Sequence, residues 1–170
     1  MQALRPWAAA AATLVMLLSG CSATEPPSIA PLSIEDGVPH YRSMTRELMA
    51  ALSAKFPTVE WSREATEHLG PREDGQGCSF HPASYESKQG LEKASPRFKE
   101  VMAAVNPVLE KFHFTKVEKL ADVPGGWTVI KSSDRHGASL SLSAKGTTLL
   151  SLGAPLKAAD CNVALPAYGS

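Results

Sequence analysis

Little in this sequence is in excess. Lysine plus arginine and aspartate plus glutamate each number 17 of 170 residues, with no block of one sign. A chain so balanced offers no electrostatic footprint for nucleic acid, and no polybasic patch that would serve as a second membrane signal. It has no Gly-x-Ser-x-Gly elbow, phosphate loop or His-Glu-x-x-His, so the motifs that announce a hydrolase, a nucleotide enzyme or a metalloprotease are missing. Nothing implies a cofactor. No repeat of fixed period occurs, and beyond residue 20 no apolar run is long enough to span a bilayer, which takes roughly 20 residues. Cysteine is scarce, at three.

The first of those cysteines is the most informative residue present. Trp7 to Leu18 is an apolar run with one threonine, preceded by the single charge of Arg5. It is too short for a membrane span and suits the h-region of a secretory signal peptide, typically about 7–15 residues. It closes on Leu18-Ser19-Gly20-Cys21, which resembles the bacterial lipobox. The chemistry accounts for the residue types: a thiol to take a diacylglyceryl group, and small residues to let a peptidase reach the Gly20–Cys21 bond. No twin-arginine pair precedes the run. We therefore expect residues 1–20 to be a lipoprotein signal peptide and Cys21 to be lipidated, holding the chain on the extracytoplasmic face of the cell membrane. An uncleaved signal anchor and an ordinary signal peptide cleaved elsewhere are the alternatives. Multiple acyl chains are needed for stable anchoring, and a lipoprotein cysteine carries at least two. Residues 21–39, rich in proline, read as a lipid-anchored tether.

About 130 residues remain, enough for one domain with a core. Cys78 and Cys161 are the two cysteines that lipid does not use. In an oxidising compartment they are expected to pair, closing a loop that stabilises by roughly 4.5 kcal/mol in the chain-entropy account. Two free buried thiols are the alternative. The domain is expected over 40–161, with 162–170 as a tail.

Periodicity places the elements. Tyr41, Met44, Leu48, Ala51 and Leu52 share a helical face ended by Pro57. Thr58 to Ser62 alternates as a strand carrying Val59 and Trp61. Residues 67–77 read as a turn-rich loop, and Cys78 to Phe80 as a strand antiparallel to the first. Residues 81–94 read as irregular. A second helix starts with Ser95 as cap and Pro96 at its first position, and carries the stripe Phe98, Met102, Val105, Leu109, Phe112. Pro107 should kink it near Ala103 or break it. Strands at 114–123, 127–132, 138–144 and 147–153 follow as a meander. The order is helix, two strands, helix, four strands. That predicts an α+β domain with two amphipathic helices packed on one face of a mainly antiparallel sheet.

Candidate chemistry is sparse. Cys78 and His81 have a zinc-like spacing but no second pair beside them. His113 reads as a helix-end residue and His136, beside Asp134 and Arg135, as a turn residue. Glu60, Glu64, Glu67, Glu73 and Asp74 read as a solvated face. Trp61 and Trp127 lie in strand patterns and read as core rather than as a stacking platform. No residue is assigned a catalytic or metal-binding role.

The helix before Trp61, Cys78 in a short strand, the helix from Ser95, the "GGWTVI" strand and the closing Cys161 together resemble the LppA-like lipoproteins of mycobacteria and related actinobacteria. The resemblance covers about residues 41–161 and rests on order and spacing. It implies a membrane-anchored extracytoplasmic domain, with no catalytic residues to transfer. The expected function is a non-catalytic binding or interaction domain at the cell envelope, with the membrane and an envelope protein as partners. A carrier or sensor of a small apolar ligand and an envelope hydrolase are the two alternatives.

Overall fold

The computed structural model describes residues 29–167. The expected signal peptide and Cys21 lie outside the described residues, as does the first part of the expected tether.

Among the described residues, regular structure begins earlier than the proline content implies. A two-residue strand, β1 (Leu32–Ser33), leads into helix α1 (Ile34–Lys55). The 21–39 boundary of the tether is therefore corrected: residues 32–39 belong to the domain. Ser33 caps α1, its Oγ accepting the Asp36 N–H at 3.2 Å, and Glu35 and Asp36 complement the dipole of the first turn. Pro39 is tolerated because the carbonyl its ring crowds belongs to Glu35, in the first turn. Gly37 is there for contact: a Cβ at that position would sit 2.3 Å from Leu156 Cδ2. Tyr41, Met44, Leu48 and Leu52 are fully buried, as their spacing predicts.

The chain then forms β2 (Ser62–Ala65), β3 (His68–Pro71), β4 (Cys78–His81) and β5 (Ser84–Ser87). The expected strand at Thr58–Ser62 is displaced to start at Ser62, and the expected loop at 67–77 contains β3. The expected irregular stretch 81–94 contains β5 and a short helix, α2 (Leu91–Ala94). A 3₁₀ turn (Pro96–Phe98) and helix α3 (Lys99–Lys111) follow. The long expected helix from Ser95 is thus interrupted, since Arg97 and Phe98 both have φ of 55°. Ser95 still caps, but at a distance: its Oγ accepts the N–H groups of Glu100 and Val101. Pro107 lies inside α3, which runs on to Lys111 without a break.

The C-terminal half supplies β6 (Thr128–Ser133), β7 (Ser139–Lys145) and β8 (Thr147–Lys157). These form a three-stranded meander rather than the four expected. Residues 114–123 make no ladder. Thr115 and Ala121 each donate one backbone bond to β6, while the Asn106 amide of α3 takes both the N–H and the C=O of Val117. The buried residues Phe114 and Val117 are three apart, a spacing that suits a side chain reaching in from α3 better than an alternating pleat.

β8 organises the sheet. One edge pairs with β7 from Thr147 to Gly153 and, in parallel, with β1 at Leu156. The other edge pairs with β5 and then with β4. From Phe80 to Tyr85 the chain advances five residues while its partners, Ala154 and Leu150, are four apart, so β4 and β5 are one strand broken by a bulge. β2, which pairs with β5, carries its own irregularity between Arg63 and Ala65, and β3 pairs with β4.

Alternation then gives the sheet two unlike faces. Phe80, Ile130, Leu140, Leu142, Leu150, Leu152 and Leu156 are buried together with the apolar sides of α1 and α3. Helices together with a mainly antiparallel sheet make this an α+β domain. Cys78 and Cys161 are joined in a disulfide, with Cα atoms 5.6 Å apart. The tail beyond it returns to α1, where the Arg42 guanidinium donates to the Pro166 carbonyl at 2.6 Å. Arg42 also forms a bidentate pair with Glu67, between β2 and β3.

Candidate functional site

The second face of the sheet carries short polar side chains. Ser139, Ser141 and Ser143 on β7 alternate with the buried Leu140 and Leu142, and Gly153, Ser151 and Leu149 stand opposite them in turn on β8. Ser79 and His81 continue this face on β4, because residues paired across strands share a side. Two open grooves of about 600 and 640 Å³ lie along it, and both are lined by His81, Ser139 and Gly153.

In the first of these grooves Ser79 Oγ and His81 Nε2 are 2.9 Å apart. The His81 ring stacks on His68, directly opposite on β3, with centroids 4.7 Å apart and planes 11° from parallel. Gly153 leaves room for the ring: a Cβ there would approach His81 Cε1 to 3.2 Å. Partial burial, and then the neighbouring His68, hold the His81 pKa below the usual imidazole value. His81 is therefore neutral at neutral pH. With its proton on Nδ1, it accepts the Ser79 hydroxyl proton at Nε2. Among the described residues no carboxylate bonds the other ring nitrogen, so this pair lacks the third group that orients a base. Ser79 also sits in regular strand, paired to Gly70 and Pro155.

The remaining sequence candidates separate. Cys78 faces the core and is held by Cys161, while His81, three positions on, faces outward, so the two do not converge on one ion. Asp134 serves the turn, accepting from the Tyr41 hydroxyl at 2.8 Å and from the N–H groups of His136 and Ala138. The acidic residues disperse: Glu67 pairs with Arg42, Glu64 accepts from Ser84, and Asp74 pairs with Arg72. Trp61 packs partly buried against the core. Trp127 does not: it is 44% exposed beside the Gly125–Gly126 turn, which corrects its reading as a core residue. His113 ends α3, with the Phe114 N–H bonded to the Leu109 carbonyl and the His113 N–H to that of Glu110. This is a Schellman closure in which histidine takes the left-handed position at φ 60°.

Sequence reasoning singled out His81 but not its companions. The serine alternation was visible; the opposition of His68 was not, because it depends on the bulged register of the β2–β5 hairpin.

The class defined by this arrangement is an α+β domain with a mainly antiparallel sheet. No family model matches the chain, and no curated protein does. Among solved structures it is similar to the crystal structure of a DUF4853 family protein from Actinomyces odontolyticus ATCC 17982, with a TM-score of 0.58 and 11% identity over 84% of this chain and 81% of that one. At that identity the likeness concerns the fold alone.

Proposed function

We propose that this protein is a lipid-anchored, non-catalytic binding domain of the bacterial cell envelope, and that the helix-free sheet face is its contact surface. One observation carries the reading. Hydroxyls and imidazoles line the grooves that run along this open face, and these groups discriminate partners by hydrogen bonding. The lipobox at Cys21 and the resemblance to the LppA-like lipoproteins support the envelope address. A carrier with its pocket between sheet and helices is disfavoured, because Tyr41, Phe80, Phe98 and Leu142 there are fully buried among one another's neighbours in a single core.

A photo-crosslinking residue at Ser141, in cells and at native level, tests the surface. Defined adducts from Ser141, absent from the same probe at Glu110 on α3, are the expected result. Adducts from neither position would remove the sheet face from consideration. Intact mass of the membrane-extracted protein tests the anchor: acyl mass on a chain starting at Cys21 is expected.

The Ser79–His81 contact favours a second reading, a serine hydrolase of the envelope. A fluorophosphonate probe separates the two. Labelling lost in both Ser79→Ala and His81→Gln would support the hydrolase. An unlabelled Ser79 leaves the binding domain.

A further inference from the structure

Between the start of α1, the end of α3 and the β6–β7 turn lies a cleft of about 430 Å³, within the range of small-ligand sites. Leu32 and Phe112 line it, with the 43% exposed Ile29 at the rim. Its polar groups are unlike those of the sheet face. Three imidazoles, His40, His113 and His136, and the Arg135 guanidinium meet a single carboxylate, Asp36. That carboxylate is engaged, since Ser33 Oγ donates to it at 3.0 Å. Arg135 has no ion pair or side-chain hydrogen bond among the described residues.

The imidazoles are ordered by their neighbours. His136 donates Nδ1–H to the Ala30 carbonyl at 2.7 Å, which leaves Nε2 for another partner. His40 lies edge-on to Tyr41 and Phe112, with centroids 5.0 and 5.2 Å away. His113 is held at the lip by the left-handed closure of α3, a conformation that glycine would adopt without strain.

We propose that this cleft binds an anionic amphiphile: a carboxylate or phosphate head against Arg135 and the imidazoles, and a short apolar chain along Leu32, Phe112 and Ile29. A cation would meet only Asp36, already hydrogen-bonded. A neutral apolar ligand would leave the Arg135 guanidinium without a counter-charge. A metal ion is the wrong guest, because among the described residues no three ligating side chains are placed to hold one. The amphiphile has two sources, an anionic lipid of the surrounding membrane or a free acid.

The site is sensitive to pH. Burial, the dominant influence, holds the His40 pKa down; Asp134 opposes this, while His136 and His113 add to it. The charged and titratable groups around it are Asp36 on α1, His113 at the end of α3, and Asp134, Arg135 and His136 in the turn. A bound anion favours the protonated form of His40, so affinity rises as pH falls through the imidazole range.

The test titrates the purified full-length mature protein with hexyl phosphate and with hexanoate, following the histidine ring resonances. We expect saturable shifts on His40, His113 and His136, no shift on His68 and His81, and tighter binding near pH 6 than near pH 8. Arg135→Gln and His113→Asn should each weaken binding by about tenfold, the scale of a lost charge-assisted hydrogen bond. Asparagine tolerates the left-handed position, so His113→Asn keeps the fold. Equal binding of hexanol, unsaturable shifts, or an affinity unchanged in Arg135→Gln would each overturn the proposal. Phosphatidylcholine vesicles with added phosphatidylglycerol separate the sources. The same resonances moving there point to membrane lipid, movement with the free acids alone points to a soluble ligand, and movement with neither refutes the site.

Discussion

At Gly37 a missing side chain decides how closely a helix approaches the sheet. A Cβ there would run into Leu156 Cδ2 on one side and come within 3.2 Å of Leu32 Cβ on the other. Alanine is favoured over glycine inside a helix by about 1 kcal/mol, but overpacking against a fully buried leucine costs about 1–3 kcal/mol. Gly37→Ala should therefore lower stability in urea titration, against its helix propensity. His113 argues in the opposite direction. Its left-handed backbone costs roughly 1 kcal/mol, so His113→Gly should raise the urea midpoint while emptying one side of the cleft. Stability gained with ligand affinity lost would show that the strain is retained for binding. Protonation adds a third residue-scale prediction. His40 and His81 both have folded-state pKa values below the unfolded value of about 6.5, chiefly through burial. The unfolded chain then binds more protons below that pH. Their contribution to stability is complete above about pH 6.5 and is lost as pH falls from there toward the folded pKa values. Chemical denaturation at a series of pH values should show this loss, and His81→Gln should diminish it.

Elements were legible where a single physical signal governed them. The stripe from Tyr41 to Leu52 and the alternation from Ser139 to Leu152 each obey one period, and both were placed correctly. The errors fall where a tertiary contact overrides local chemistry. Proline and glycine between 31 and 39 argue for a tether, yet the Ser33 cap and the Gly37–Leu156 approach make helix. Residues 114–123 alternate as a strand does, yet the Asn106 amide takes the Val117 peptide and no ladder forms. Arg97 and Phe98 turn the chain left-handed between Ser95 and α3, which no helical stripe could announce. The candidate site was partly legible for the same reason: His81 stands out, but its meeting with His68 depends on pairing two interrupted strands. The cleft was less legible still, since His40, His113 and His136 come from three elements. Capping gives an element-scale prediction. Ser95→Ala removes the acceptor for two N–H groups at the start of α3 and should destabilise by about 1–2 kcal/mol, measurable as a shift in midpoint at constant m-value.

For the whole molecule the strongest covalent constraint is the Cys78–Cys161 bridge, across a separation of 83 residues. Replacing both cysteines with serine should cost about 2–4 kcal/mol. Calorimetry would register it as a lower melting temperature. Cys78 pairs with Leu156 on one edge of β8, and Leu32 of β1 pairs with the same leucine on the other. Just upstream, the Ile29 N–H bonds the Arg135 carbonyl and the Ala30 carbonyl takes the His136 ring proton. The chain's entry and its disulfide-tied exit therefore meet at one end of the strand that both halves of the sheet share. This arrangement has a mechanical meaning. In a chain held at its N-terminus, a pull enters at Ile29 and Ala30, which are tied to the β6–β7 turn at Arg135 and His136, and then passes through β1 into β8. Force is then borne by the best-connected strand of the sheet, and the first bonds to yield are those at Ile29 and Ala30, outside the core.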